Sequence, residues 1–295
     1  MLASILINNY NYAQYLDYCI SSVLNQTYKN IEIILYDDGS SDDSLDIAKK
    51  YKNNVFIISN KNYGKYPSYN QANAINKAFE ASKGEIIFLL DSDDAFCPEK
   101  VERIMEVFIK KPEVILVQHN FDEINSNNQK LINKKPAIKN VQIKKYIKKT
   151  HNLTGLFSQT SALSFRRSYF EQVVPLKEDQ FKFIWPDVRL TRQSIFYGEI
   201  HTIHESLGEY RIHGGNDSNI LENKNHYTKL IVQMYDYFNK ISMTHNGFLI
   251  DLNKTIIKPE YNIFKKFYII LTCKEIIKYK MLYFTKLINR IFKNN

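Results

Sequence analysis

The sequence predicts an α/β protein, a mainly parallel sheet with helices on both faces, and three observations carry that prediction. Short apolar runs alternate with amphipathic stretches through roughly the first 120 residues. That is the pattern of strands buried on both faces and joined by crossover helices. Clusters of Asn and Asp follow the apolar runs, at the carboxyl ends where open α/β sheets bind their ligands. A chain of 295 residues that is 44% hydrophobic and 24% charged can bury a sizeable core.

Taken in order, residues 4–7 read as a buried strand, and 15–26 as a helix with Leu16, Cys19, Ile20, Val23 and Leu24 on one stripe. Residues 31–36 form a second strand running into Asp37-Asp38-Gly39-Ser40-Ser41, followed by a helix around Leu45, Ile47 and Ala48. A third strand is expected at 55–58, and a helix at 68–82 stopped by Gly84. Residues 86–90 are the fourth strand and end in Asp91-Ser92-Asp93-Asp94; Pro98 opens another helix before a fifth strand at 114–118. The second half is less regular. Residues 125–149 are polar and Lys-rich, 161–165 and 200–210 read as strands, 188–197 as a helix, and from Leu221 the pattern is helical with a break near Pro259.

Charge and cysteine content narrow the function classes. Residues 254–295 hold ten of the 40 basic residues and only two of the 31 acidic ones, so the rest of the chain is nearly neutral. The body therefore lacks the electrostatic motive for binding nucleic acid. The three cysteines, Cys19, Cys97 and Cys273, form no CxxC pair, which fits a reducing compartment. The amino terminus has no basic segment ahead of its apolar run, unlike a signal peptide. The apolar runs at 86–90 and 267–273 fall far short of the ~18 residues of a spanning helix. The expectation is a cytoplasmic protein. Its tail, read as a helix over 274–293, places Ile277, Phe284, Leu287 and Ile291 against a face of Lys274, Lys278, Lys286 and Arg290. Such a helix either lies peripherally on the inner face of the cytoplasmic membrane, packs on the rest of the chain, or joins a homo-oligomer.

The strand-end clusters exclude two common nucleotide sites. No Gly precedes Gly39, so there is no dinucleotide fingerprint after the first strand, and no P-loop pattern occurs. Asp91-Ser92-Asp93 is the most informative cluster. Two carboxylates one residue apart at a strand end can reach one Mg2+ or Mn2+, with waters and phosphates completing the shell. The same residues also suit a turn or helix N-cap before Pro98.

Jointly, these stretches resemble the family 2 inverting glycosyltransferases with the GT-A fold. The resemblance rests on Ser4-Ile-Leu-Ile-Asn-Asn-Tyr-Asn-Tyr, Leu16 through Tyr28, Ile31 through Asp42, Asn62-Tyr-Gly with Asn76, Gly84 through Asp94, and Pro98. It continues more thinly to Trp185-Pro-Asp-Val-Arg-Leu and Tyr210-Arg-Ile-His-Gly-Gly-Asn-Asp-Ser. It implies a Rossmann-like GT-A domain over 1–220, with a nucleotide-sugar-binding half at 1–120 and an acceptor-binding half at 121–220. A basic helical extension would fill 221–295. It also implies a nucleotide-sugar donor, UDP-linked by expectation, a Mn2+ or Mg2+ cofactor, and a glycan or lipid-linked acceptor in cell-surface polysaccharide, lipooligosaccharide or glycan assembly.

By that resemblance Asn8 and Tyr10 border the base, Asp38 binds the nucleoside, and Lys65 contacts base or diphosphate. Asp91, Ser92 and Asp93 meet the donor, with Asp93 the main metal ligand, Asp91 supporting it, and His213 a further ligand, a diphosphate contact or a structural residue. Arg211 is a diphosphate partner or a surface charge. The catalytic base of the family sits in a Glu-Asp pair at a helix start. Here Trp185-Pro186-Asp187 holds that place, which nominates Asp187, with Glu178-Asp179 the competing pair. Pro replaces the usual Glu, and Pro is apt at a first helical position. The rival reading from another class is a catalytically inactive sugar-nucleotide-binding or assembly module.

Overall fold

The protein is described here by a computed structural model covering residues 1–64, 66–132, 138–215, 224–245 and 247–251. The chain forms two compact units, Met1–Val141 with Thr154–Gly214, and Gln142–Leu153 with Gly215–Asn295.

The first unit contains an eight-stranded sheet: β1 (Ala3–Asn9), β2 (Ile31–Asp37), β3 (Val55–Ser59), β4 (Ile86–Asp91), β5 (Ala95–Phe96), β6 (Val114–Ile124), β7 (Leu163–Arg166) and β8 (Glu199–Arg211). Its order is β3-β2-β1-β4-β7-β6-β8-β5. β1, β2, β3 and β4 pair in parallel, β7 runs antiparallel between β4 and β6, β8 is parallel to β6, and β5 is antiparallel to β8. All strands except β7 and β5 therefore point one way, so their carboxyl ends share one edge of the sheet.

Strict alternation divides the core into two layers. Ile5, Ile7, Ile33, Leu35, Ile86, Phe88 and Leu90 face one side, where they meet α1 (Ala13–Leu24), α2 (Ser44–Lys49) and α4 (Lys100–Lys110) through residues such as Leu16, Ala48 and Ile104. Leu6, Ile34, Tyr36, Ile87 and Leu89 face the other, against Ile75 of α3 (Pro67–Ala81), Phe170 of α6 (Arg167–Val173) and Leu190 of α7 (Pro186–Ser194). Both faces are covered, as the apolar runs predict.

Several features depart from the sequence reading: β6 runs on to Ile124, past the expected 114–118, and α6 was not expected. β5 has only two residues, too short to leave a periodic signal. The strand expected from residue 161 starts at Leu163, because Thr160–Ala162 form a 3-10 turn.

In the second unit, α5 (Ile143–Thr150) buries Ile143 and Ile147. It ends on His151 in the left-handed conformation, φ 57°. Among the described residues the other helix is α8 (Lys224–Thr244), whose Asn239 brackets Ile250 through Nδ2 to its carbonyl (3.0 Å) and Oδ1 from its N–H (2.9 Å). No helix among the described residues is long and apolar enough to cross a membrane. Residues 252–295, with the basic amphipathic stretch, lie outside the described residues.

Candidate active site

Strand register brings the polar clusters level with one another. Asn8 at the end of β1 stands opposite Tyr36 of β2 and Asp91 of β4, and Asn9 stands opposite Asp37. The three parallel strands thus deliver their acids and amides to one edge.

The neighbouring acids Asp37 and Asp38 have different surroundings. Asp37 accepts from Asn9 Nδ2 (2.8 Å), Ser40 N (3.0 Å) and Ser40 Oγ (2.6 Å), which closes the turn. Asp38 accepts from Asn62 Nδ2 (2.9 Å) and Tyr63 N (3.2 Å), so the loop after β3 holds it. Gly39 makes this approach feasible: its φ is +73°, and a Cβ there would stand 2.5 Å from Asn62 N. Burial first, and then the charge of Asp37, push the Asp38 carboxyl up to about 6.

Asp91 accepts from Gln71 Nε2 of α3 (2.8 Å) and, at 3.4 Å, from Asn8 Nδ2. Burial and the charge of Asp93 push it up to about 7, with Asp187 adding a smaller repulsion. Ser92 is fully buried, and its N–H donates to Asn8 O (3.1 Å) while its hydroxyl has no partner. The buried oxygens Asn8 Oδ1, Asn70 Oδ1 and Gln71 Oε1 also have no partner. Buried acceptors are normally satisfied, so this cluster is suited to a hydrogen-bonding ligand.

Asp93 Oδ2 lies 3.0 Å from His213 Nε2. The His213 ring is held between Tyr12 and Tyr15, at centroid distances of 5.4 and 5.1 Å. Arg211 is wholly buried, which overturns the surface-charge reading of this residue. Its Nε donates to Asp93 O (2.7 Å), its backbone N–H to Asp94 Oδ1 (2.9 Å), and a terminal nitrogen to Asn125 O (2.8 Å). The guanidinium also stacks 4.5 Å from the Tyr15 ring.

The donor set fits a divalent cation of the Mg2+ or Mn2+ type. Among the described residues no three His, Cys, Asp or Glu side chains form a closed metal cage. Such ions are bound instead by one or two carboxylates plus water and phosphate. Asp93 Oδ2 and His213 Nε2, hydrogen-bonded at 3.0 Å, supply one carboxylate and one imidazole side by side for such an ion.

Asp187 lies in the first turn of α7, after Pro186, and is partly exposed. Burial raises its carboxyl, while Arg192 and the backbone N–H groups of the helix start pull it back. The competing acids are engaged elsewhere. Asp179 pairs with Arg189 (2.9 Å) and caps Phe181 N (2.8 Å), and Glu178 is bonded by the Tyr63 hydroxyl. Tyr10 is 47% exposed just beyond β1, and Lys65 lies outside the described residues. Sequence reasoning did not single out Gln71 or Asn62 as site residues. Both are amides whose significance comes only from the acids they meet.

The architecture is that of a GT-A glycosyltransferase. Its likeness to Staphylococcus aureus TarS residues 1–349 in complex with UDP covers 95% of this chain and 81% of that one, with a TM-score of 0.61 at 13% identity. The mannosyltransferase PcManGT of Pyrobaculum calidifontis, in complex with GDP-Man and Mn2+, gives a TM-score of 0.57 at 13% identity, covering 79% of this chain and 63% of that one. Residues 4–174 match Glycosyl transferase family 2, and the chain belongs to that family. An uncharacterized glycosyltransferase of Nostoc is 36% identical over 224 residues, 74% of this chain and 66% of the relative. The Escherichia coli protein WfaP, a UDP-Glc:alpha-D-GlcNAc-diphosphoundecaprenol beta-1,3-glucosyltransferase, is 32% identical over 164 residues, 56% of this chain and 54% of WfaP.

Proposed function

We propose that this glycosyltransferase moves a hexosyl or N-acetylhexosaminyl group from a UDP-sugar to an acceptor hydroxyl with inversion. The pathway would be assembly of a cell-surface polysaccharide, lipooligosaccharide or glycan. The observation that carries this reading is the meeting at one sheet edge of Asp91, bonded by Asn8 and Gln71, with the hydrogen-bonded pair Asp93 and His213.

In this reading Asn8 and Tyr10 border the base, Asp38 accepts hydrogen bonds from the nucleoside, and Lys65 adds a positive charge near the base or diphosphate. Asp91 and Ser92 face ribose and donor sugar. Asp93, with Asp91 and His213, would hold Mn2+ or Mg2+, which supplies positive charge against the departing diphosphate. Asp187 takes the acceptor hydroxyl proton as the oxygen forms its bond to the anomeric carbon. The bond from that carbon to the diphosphate oxygen breaks, and the nucleotide leaves with the electron pair. The raised Asp187 carboxyl is a stronger base than an exposed aspartate, which suits general-base catalysis near neutral pH.

The diphosphoundecaprenol acceptor in the name of WfaP supports a lipid-linked acceptor here, met peripherally at the cytoplasmic face of the membrane with help from the basic tail. Nucleotide release from a donor panel, with and without Mn2+, tests the reading. Metal-dependent release from a UDP-sugar is expected, and no turnover with any donor and acceptor would favour an inactive binding module.

A further inference from the structure

Lys100, at the start of α4, is a fully buried amine. Its Nζ donates to the Ser161 carbonyl oxygen and lies 3.3 Å from the centroid of the Phe96 ring. Withdrawing an amine from water is costly, and a Met of similar length would fill this space without that cost. The feature that the amine secures is Ser161.

Ser161 is also fully buried, in the 3-10 turn just before β7. The β4–β7 ladder covers Ile86 to Phe88 of β4 and stops there. Beyond the ladder, Ser161 Oγ continues the link by side chain. It accepts the Asp91 N–H at 3.0 Å and is hydrogen-bonded to the Asp94 carboxyl. Asp94 Oδ1 in turn accepts the Arg211 N–H, and Arg211 Nε holds the Asp93 carbonyl. The turn carrying three mutually repelling carboxylates is thus gripped at Asp91, Asp93 and Asp94 by residues behind it.

We propose that Lys100 and Ser161 are a buried positioning pair that fixes the Asp91–Asp94 turn in the geometry needed to hold a divalent cation with a nucleoside diphosphate. The inference rests on the donor site proposed above. Neither residue meets the donor: both act through the backbone and carboxylates of the turn.

The test measures Mn2+ affinity in the presence of UDP, from the electron paramagnetic resonance signal of free Mn2+, together with Tm. The variants are Lys100→Met and Ser161→Ala, with the exposed Lys110→Met as control. Both buried variants are expected to weaken Mn2+ binding at least fivefold and to leave metal-free UDP affinity within twofold of the parent, while the control changes neither. A lower Tm with unchanged Mn2+ affinity would show a purely structural role and overturn the proposal. Should Lys100→Met not fold, Ser161→Ala decides alone. Failure of the unsubstituted protein to bind Mn2+ with UDP would refute the donor-site reading itself, and the positioning role with it.

Discussion

His213 Nε2 lies 3.0 Å from Asp93 Oδ2, although the two residues are 120 positions apart in sequence. The segment after β8 thereby brings an imidazole nitrogen to the carboxylate that follows β4. Residues sharing one ligand show coupled effects. Asp93→Asn is expected to raise the Mn2+ concentration for half-maximal UDP binding at least tenfold, and His213→Ala severalfold. The double substitution should cost less than the two single effects combined. Titration of UDP binding at fixed Mn2+ concentrations checks this, and full additivity would separate the two residues functionally.

In the proposed mechanism Asp187 acts on the acceptor rather than the donor. Its α7 position leaves the Asp38 and Asp93 contacts intact when its charge is removed. A positioned general base contributes on the order of 10²–10⁴-fold. Asp187→Asn should therefore reduce kcat by about that factor and change UDP affinity less than twofold. Retained transfer would redirect attention to Glu178, despite its bond from Tyr63.

The first four strands and their polar ends were legible because each apolar run closes on Asn or Asp at a fixed phase. The antiparallel β7 was harder to place: four residues carry no signal for the neighbour they pair with. The same limit applied to the site. Asp38, Asp91 and Asp93 stood out as strand-end acids. The importance of Gln71 and Ser161 arises from contacts with Asp91 across 20 and 70 positions. Arg211 read equally well as a ligand contact or a surface charge, since its complete burial depends on where β8 ends.

Gly39 offers a test of how the proposed nucleoside site around Asp38 is framed. An L-residue in its conformation carries roughly 1–2 kcal/mol of backbone strain. The added Cβ would also meet Asn62 N at 2.5 Å, a backbone atom that can yield only by moving the loop. Gly39→Ala should lower stability by about 2 kcal/mol or more. It should also weaken UDP binding, because Asn62 and Tyr63 would no longer hold Asp38. Chemical denaturation and UDP titration report the two effects separately; unchanged UDP affinity would remove Asp38's loop contacts from the donor site.

The clustered carboxyls make a prediction about pH. Asp38 is raised from 3.8 to about 6 by burial and then Asp37, and Asp91 to about 7 by burial and then Asp93; Asp94 and Asp187 are raised as well. In the unfolded chain these acids ionise near pH 4. Between that value and their folded values the native state binds more protons, so stability falls as pH rises. Each pH unit of this window is worth about 1.4 kcal/mol per group, an upper bound where part of a side chain meets solvent. The ligand-free protein should therefore lose Tm steadily from about pH 5 to pH 8. In the proposed donor site Mn2+ with UDP would bind the ionised carboxylates, so saturating amounts should shrink or reverse that loss. Thermal melts across this range, with and without Mn2+ and UDP, make the comparison. A ligand-free Tm that stayed level or climbed toward pH 8 would mean that these acids are not held protonated by the fold, and that Asp38 and Asp91 meet more water than their contacts indicate.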